Sequence, residues 1–373
     1  MHFRLGINGW RLCAPHTGVA RYLLNVIRHW TPEATRVFGE ITIYTPKPLD
    51  RRAVPLPPNI RERVLGPDLP MIAWENLRFG LVANDDVLFC PSFSRPLVAR
   101  GRTVVATHDV IYHVRPELFP ASVRLFYRRL YDWSDRRAAL VITDGEAVKR
   151  DIVDHCGIPG EKVRVTYLAP ADCFFPLADP RQAETARVTF VGADVPFFLF
   201  VGKMSGRRSL PPLVEAFAQF KRRTGLPHRL LLVGLNPHQL DLGALTARLG
   251  VEDAVRYTGY IGDEDLNRLY NAAAAFVMPS VYETTSLPVM EAQATGAPVI
   301  CIDSDGMREI TQGAALMIPR LDAALLADAM VRLSADASLG ERLRDEGLRS
   351  AARFSWARCA AETMAVLEEA SLR

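Results

Sequence analysis

The sequence lacks any apolar run long enough to cross a membrane, and it contains no low-complexity tract and no repeat at solenoid spacing. With 49% hydrophobic and 23% charged residues, its composition is that of a globular protein throughout. The apolar run at residues 3–7 is too short for a signal peptide and is typical of a first strand. These absences predict a globular chain without a membrane span.

Paired cysteine spacing is also absent. The six cysteines are Cys13, Cys90, Cys156, Cys173, Cys301 and Cys359. Several lie in apolar runs, which predicts buried free thiols in a reducing cytosol. The sequence therefore predicts no zinc site, and His113 is expected to be an ordinary surface histidine.

A strong excess of either charge is missing as well, because the net charge is only +3. The distribution is uneven: residues 1–190 hold 26 Lys and Arg against 20 Asp and Glu, which leaves 19 against 22 in the remainder. A modestly basic first half suits an anionic partner or a membrane surface. The imbalance is too weak to argue for nucleic acid as a partner.

The length of 373 residues favours two domains over a single core. Short apolar runs that end in polar loops, with amphipathic segments between them, predict a doubly wound α/β fold. The predicted strands are residues 4–8, 86–90, 103–107, 139–143, 197–202, 228–234, 255–259, 274–278 and 299–302. A proline-containing linker predicted at 172–195 separates a domain of residues 1–180 from one of 181–355. A loop at 9–18 and a helix at 19–30 follow the first strand.

Residues 278–300 hold the densest group of candidate functional side chains. A loop at 280–287 carries Glu283, and a helix at 288–295 carries Glu291. Loops at the carboxyl ends of parallel strands line ligand crevices, so an exposed Glu283 and Glu291 can both face a ligand. Sugar and ribose hydroxyls suit such carboxylates.

The order of residues around this pair resembles the signature of glycosyltransferase family 4. Seven residues separate the two glutamates, Leu287 and Pro288 lie between them, and the run from 296 to 300 follows. The family usually has Glu-Gly-Phe-Gly at the first glutamate, where glycines let backbone amides approach a diphosphate. This chain has Thr284, Thr285 and Ser286 instead, and the hydroxyls of the last two are expected to substitute for those amides.

Two further matches lie in the first half. Gly18 occupies the place of the family's N-terminal glycine loop, with Arg21 as a weaker candidate, and His108 with Asp109 resembles the His-Asp pair near the anomeric carbon. The family's serine-glutamate helix start is replaced at Gly145, so Glu146 and Lys149 are only weak site candidates.

A basic loop in the second half carries the remaining matches. A strand, a short basic loop and a helix start form an arrangement that binds phosphate. Gly202 is the strand glycine of the family, Lys203 and Arg208 match its two basic positions, and Arg207 is a neighbour. Tyr260 resembles the strand end at which the family's backbone reads the nucleotide base.

The resemblance implies the GT-B architecture, two Rossmann-like domains that face each other across a cleft, with a C-terminal helix at 356–373 packing back on the first domain. It also implies retaining transfer of a hexose, with mannose from GDP-mannose favoured, to a lipid-linked or polysaccharide acceptor. Lys203, Arg208 and helix N-termini would neutralise the leaving diphosphate, so no metal or cofactor is expected. Glu283 would hold sugar hydroxyls and Glu291 the ribose. A catalytically silent sugar-nucleotide-binding protein and a nucleotide-sugar epimerase or hydrolase are the alternatives.

The segment at 119–137 places arginines around aromatic residues on a predicted helix. Phe126, Leu130 and Trp133 form an apolar stripe, and Arg124, Arg128, Arg129, Arg136 and Arg137 surround it. Arginine stems beside aromatic rings suit a membrane interface, although a solvated face over a core stripe is an equal alternative. We therefore expect a cytoplasmic protein with peripheral contact at the inner membrane face.

Overall fold

A computed structural model describes residues 3–13, 17–237 and 239–373. The chain forms two compact units, one of Met1–Leu168 with Ser355–Arg373 and one of Ala169–Phe354. Residues 14–16 of the loop predicted at 9–18 lie outside the described part, as do residues 1 and 2 before the first strand. Within the described ranges, no helix combines the length and the apolar character that crossing a membrane requires.

The first unit contains a seven-stranded parallel sheet. Its strands are β1 (Phe3–Asn8), β2 (Phe38–Thr45), β3 (Ile60–Val64), β4 (Val87–Cys90), β5 (Arg102–Ala106), β6 (Leu140–Thr143) and β7 (Val163–Val165). They lie in the order β3-β2-β1-β4-β5-β6-β7. The strand order reverses between β1 and β4, which is where such sheets bind ligands beyond their carboxyl ends.

The second unit contains a six-stranded parallel sheet. Its strands are β8 (Phe197–Val201), β9 (Arg229–Val233), β10 (Val255–Gly259), β11 (Ala275–Met278), β12 (Val299–Ile302) and β13 (Leu316–Ile318). The order β10-β9-β8-β11-β12-β13 reverses between β8 and β11. The prediction of doubly wound, Rossmann-like sheets in both halves is confirmed.

Helices connect the strands in both units. They are α1 (Gly18–Arg28), α2 (Met71–Trp74), α3 (Gly80–Val82), α4 (Ile111–Val114), α5 (Ala121–Arg137), α6 (Glu146–Cys156), α7 (Pro180–Ala186), α8 (Leu210–Thr224), α9 (Leu242–Leu249), α10 (Asp263–Ala272), α11 (Leu287–Thr295), α12 (Asp305–Thr311), α13 (Ala323–Ala335), α14 (Ala337–Ala351) and α15 (Trp356–Leu372). Short 3₁₀ turns occur at Trp10–Cys13, Pro116–Leu118, Gly160–Lys162 and Gly206–Arg208, and π-helical turns at Glu75–Phe79 and Arg187–Val191.

The central strands form because they are short apolar runs that can be buried on both faces. All five residues of β8 are buried, as are all four residues of β11. Side chains of Ser304, Asp322 and Ser355 accept backbone N–H groups at helix starts, and such caps satisfy donors that the first helical turn leaves unpaired.

The segment just before α7 packs with the second unit, whereas the sequence places the boundary after residue 180. The backbone N–H groups of Phe175 and Leu177 donate to the side-chain oxygens of Asn267 and Asn271, at 3.1 and 2.8 Å. The predicted linker also contains α7, which begins at Pro180. Proline is favoured in the first turn of a helix, so its presence does not by itself indicate a linker.

The last helix, α15, is part of the first unit, where it packs against α1 and the strands β4, β5 and β6. The indole N–H of Trp30 donates to the carbonyl oxygen of Ala360 at 3.1 Å. Leu367 is fully buried in this contact region, whereas Leu372 is 79% exposed. The C-terminal residues therefore contribute to the first hydrophobic core.

Replacing Leu367 with alanine should lower the free energy of unfolding of the first unit by about 2–5 kcal/mol, because a buried cavity replaces the side chain. The matched change Leu372→Ala, in the same helix, should change it by less than about 0.5 kcal/mol. Urea unfolding followed by circular dichroism measures both. Equal effects would contradict the packing described for α15.

Candidate functional site

Three neighbouring strands of the second sheet end in glycines with positive φ. Gly202, Gly234 and Gly259 follow or close β8, β9 and β10, with φ values of 152°, 133° and 72°. A Cβ atom on Gly234 would lie 2.1 Å from the carbonyl oxygen of Gly202. The two strand ends therefore approach so closely that only glycine fits at Gly234, and backbone alone forms this part of the carboxyl edge.

The basic loop follows β8 at the point where the strand order reverses. Lys203 is exposed, Arg207 is partly buried and the Arg208 side chain is nearly buried. Arg208 Nη1 lies 2.9 Å from Glu283 Oε1, and it also contacts the Met278 sulfur at 2.8 Å. Burial lowers the pKa of Arg208, and the Glu283 carboxylate opposes that shift.

Glu283 is buried, so the expectation of an exposed carboxylate is wrong. Besides Arg208, it has Arg207 Nη1 at 3.7 Å. A Cβ atom on Gly306 would lie 2.6 Å from the Glu283 carbonyl oxygen, so the start of α12 packs directly against the loop. The loop therefore lies between α12 and the two arginines, and the Glu283 carboxylate points inward to form the ion pair.

The residues that replace the expected glycines start α11. Ser286 is the N-cap residue, and its carbonyl oxygen accepts the backbone N–H groups of Val289 and Met290. Its hydroxyl is buried, and the described residues offer it no hydrogen-bond partner. Thr285 and Leu287 are only partly buried at the same helix end. The Ser286 hydroxyl therefore keeps an unused donor, and its substitution for a glycine amide stays a prediction.

Glu291 and Tyr260 have different surroundings. Glu291 is buried on α11, and the hydroxyl of Tyr270 donates to its Oε2 at 3.2 Å. The structure thus places Glu291 in the interior, whereas the sequence places it facing a ligand. Tyr260 is half exposed directly after Gly259, at the end of the edge strand β10.

In the first unit, His108 lies after β5 with acceptors at both ring nitrogens. Nδ1 is 2.9 Å from Asp144 Oδ2, and Nε2 is 3.0 Å from the carbonyl oxygen of Pro91. Burial alone would lower the pKa of His108, but the Asp144 carboxylate and the Pro91 carbonyl outweigh it and raise the pKa. Two acceptors favour the imidazolium form, which donates from both nitrogens.

Aromatic rings enclose this imidazole. Tyr22 and Phe93 meet it edge to face, with centroid distances of 5.0 and 5.4 Å. Phe93 has φ 63°, a conformation that costs a bulky residue free energy and is concentrated at functional sites. The Phe93 ring also stacks on Tyr131 at 5.4 Å. His108 is therefore held firmly by packing as well as by charge.

Glu75 is a candidate site residue that the sequence analysis missed. It lies on a π-helical turn, a feature often found at functional sites, and Asn8 Nδ2 at the end of β1 donates to its Oε2 at 3.0 Å. Burial raises the pKa of Glu75 to about 7, while Ser94 and Asn8 partly offset the shift. Its signal in the sequence was a single acid inside the largely apolar run 71–82.

Gly18 is the first residue of α1, and the Thr17 hydroxyl caps the helix by accepting the N–H of Ala20. A Cβ atom on Gly18 would meet nothing within 4 Å among the described residues. Packing within the chain does not explain the glycine, so its predicted role toward a ligand stays a prediction.

Each unit brings together one group of candidate site residues. The second unit joins Arg207, Arg208 and Glu283, and the first unit joins His108 and Asp144.

Comparison with known proteins gives this geometry a context. The profile of the family described as Glycosyl transferases group 1 matches residues 195–336. O-antigen chain mannosyltransferase B of Escherichia coli is 29% identical over 265 residues, which cover 70% of this chain and 69% of that protein.

Two solved structures share the fold over nearly the whole chain. Sucrose-phosphate synthase from Thermosynechococcus elongatus superposes with a TM-score of 0.77 at 20% identity, covering 99% of each chain. Anabaena HepE in complex with UDP and glucose superposes with a TM-score of 0.77 at 18% identity, covering 99% of this chain and 100% of that one.

The raised pKa of His108 predicts a pH-dependent contribution to stability. The stabilisation from its pairing with Asp144 is complete below the pKa of an unfolded histidine, about 6.5, and is lost as pH rises through the higher folded value. The stability difference between wild type and His108→Gln should therefore shrink from about pH 6 to pH 9. Urea unfolding of both proteins across this range measures it, and a constant difference would disprove the assignment.

Proposed function

We propose that this chain, which has the GT-B fold and matches the family Glycosyl transferases group 1 over residues 195–336, transfers a hexose from a nucleoside diphosphate sugar to an acceptor hydroxyl. The reaction retains the configuration at the anomeric carbon. The observation that carries the proposal is the group of Arg207, Arg208 and Glu283 at the switch point between β8 and β11. The arginines suit the diphosphate of such a donor, and the glutamate beside them suits the hydroxyls of its sugar.

The basic loop is the proposed diphosphate site. Arg208 is fixed by Glu283 before any donor arrives, so its charge needs little reorganisation when a diphosphate binds. Lys203 is exposed and can move onto the phosphates. Arg207 is partly buried, so its exposure lies between that of Lys203 and that of Arg208. A guanidinium also offers a two-pronged donor that matches phosphate oxygens.

In the proposed reaction, the bond between the anomeric carbon and the phosphate oxygen breaks while the acceptor oxygen attacks from the same face. The acceptor proton passes to the departing phosphate oxygen, and no protein nucleophile is needed. Lys203 and Arg208 stabilise the negative charge that grows on the diphosphate. Glu283 holds sugar hydroxyls. Glu291 is assigned to the ribose, whose hydroxyl would share the Glu291 carboxylate with the hydroxyl of Tyr270.

We assign GDP-mannose as the favoured donor because the Escherichia coli relative is a mannosyltransferase. The complex of Anabaena HepE contains UDP and glucose, so UDP-glucose is the natural comparison. The acceptor is proposed to be a lipid-linked or growing saccharide that binds near His108 in the first unit. Phe93 packs against His108 and stacks on Tyr131, and these two aromatic rings suit the apolar face of a sugar ring.

Incubation with GDP-mannose, UDP-glucose and related donors, with and without a lipid-linked acceptor and in the presence of EDTA, tests the proposal. Lys203→Ala should lower turnover roughly tenfold or more while weakening donor binding less, because the growing charge exists mainly in the transition state. Arg222→Ala, an exposed basic residue on α8, is the control and should have no effect.

Three outcomes would contradict parts of this scheme. Turnover of donor without acceptor would indicate a hydrolase or epimerase, and binding without turnover would indicate a sugar-nucleotide-binding protein. A strict requirement for magnesium would disprove the assignment of charge neutralisation to the basic loop.

We further propose that one surface of α5 contacts the inner face of a membrane. This α5 surface consists of Arg124, Leu125, Phe126, Arg128 and Arg129. Leu125 and Phe126 are about half exposed, at 51% and 49%, and Arg128 and Arg129 are exposed beside them. Exposed apolar side chains next to arginines suit the boundary between lipid headgroups and acyl chains.

Changing Arg124, Arg128 and Arg129 together to glutamate should abolish binding to anionic vesicles, because each arginine contributes about 1 kcal/mol near such a surface. Donor binding should be unchanged. The matched control reverses Arg332, Arg342 and Arg349, which are exposed on α13 and α14. Sedimentation with liposomes at two salt concentrations measures the effect, and wild type that stays in the supernatant at low salt would refute membrane contact.

A further inference from the structure

Three helices of the first unit bring together a histidine, an aspartate and a cysteine. His113 lies on α4, Asp132 on α5, and Cys156 is the last residue of α6. One potential ligand atom from each lies within 4.8 Å of the others. We call these three residues the His-Asp-Cys cluster.

The cluster is compact and shielded from solvent. His113 Nε2 lies 3.0 Å from both carboxylate oxygens of Asp132, and the side chains are only 6% and 10% exposed. Cys156 is buried beside them. The prediction that His113 is a surface histidine is wrong, because α4 packs against α5 and α6 and covers the ring.

A second buried acid lies behind the cluster. Asp135, one turn after Asp132 on α5, is fully buried, and its Oδ2 has no hydrogen-bond partner in the described chain. A buried carboxylate and imidazole beside a buried thiol are side chains that a cation can join.

We propose that the His-Asp-Cys cluster binds a thiophilic divalent transition metal ion, with Zn²⁺ as the favoured ion. One imidazole nitrogen, one carboxylate oxygen and one thiolate are ligands that zinc accepts, and water completes a tetrahedral set. Zinc holds such atoms roughly 3.3–3.8 Å apart, so a pair at the 4.8 Å limit would have to contract by about 1 Å. Coordination replaces the thiol proton of Cys156, which is released to solvent.

A metal in this position would join α4, α5 and α6. Helices α4 and α5 follow β5, and α6 follows β6. Helix α5 also carries the surface proposed above to contact a membrane. The cluster contains none of the residues proposed to bind donor or acceptor. Its role would therefore be to stabilise the first unit, and this inference does not depend on the proposed transfer reaction.

The test uses the full-length reduced protein, stripped of metal and titrated with Co²⁺ and then Zn²⁺. We expect one equivalent of Co²⁺ to produce a thiolate-to-cobalt charge-transfer band, which Zn²⁺ abolishes. Zinc at about 100 times its dissociation constant should raise the melting temperature by roughly 5 °C or more. Absence of the band in wild type would overturn the proposal without any variant.

Variants locate the ion. Cys156→Ser should remove the band, and Asp132→Asn should weaken zinc binding roughly tenfold or more. Cys13→Ser, the matched control at a partly buried thiol in the same unit, should change neither. His113→Gln gives a second ligand test should the cysteine variant fold poorly. A band that persists in Cys156→Ser but disappears in Cys13→Ser would assign the metal to Cys13 and overturn the inference.

Discussion

The nearly buried ion pair between Arg208 and Glu283 is the interaction on which the proposed donor site depends. Placing two charges away from water is costly unless each one compensates the other. The pair therefore fixes both the basic loop after β8 and the acidic loop after β11. In the proposed site, a donor diphosphate would meet a guanidinium that is already oriented, beside a carboxylate that the same contact directs.

The first unit applies the same geometric rule with different side chains. Its charged and aromatic residues also collect at the carboxyl ends of parallel strands, with His108 after β5 and Asp144 after β6. Both ring nitrogens of His108 have acceptors, which favours the charged imidazolium form. Glu75, with its pKa near 7, adds a carboxyl group whose charge can change around neutral pH.

Helix α5 carries both proposed features, in different halves of its length. Its C-terminal half supplies the buried Asp132 to the His-Asp-Cys cluster and the buried Asp135 behind it, while Leu125 and Phe126 are exposed in its N-terminal half. Anchoring by a metal and contact with a lipid surface would then be mechanically related, because both act on one rigid element.

The sequence by itself determined the fold class and most central strands, because these depend on local periodicity and on ordered short motifs. It named Glu283 and Arg208 separately, but only the tertiary structure joined them, since 74 residues lie between them and strand order decides their proximity. It likewise placed His113 on the surface, because His113, Asp132 and Cys156 have no motif spacing. Their proximity arises from the packing of three helices, and no local pattern in the chain records that contact.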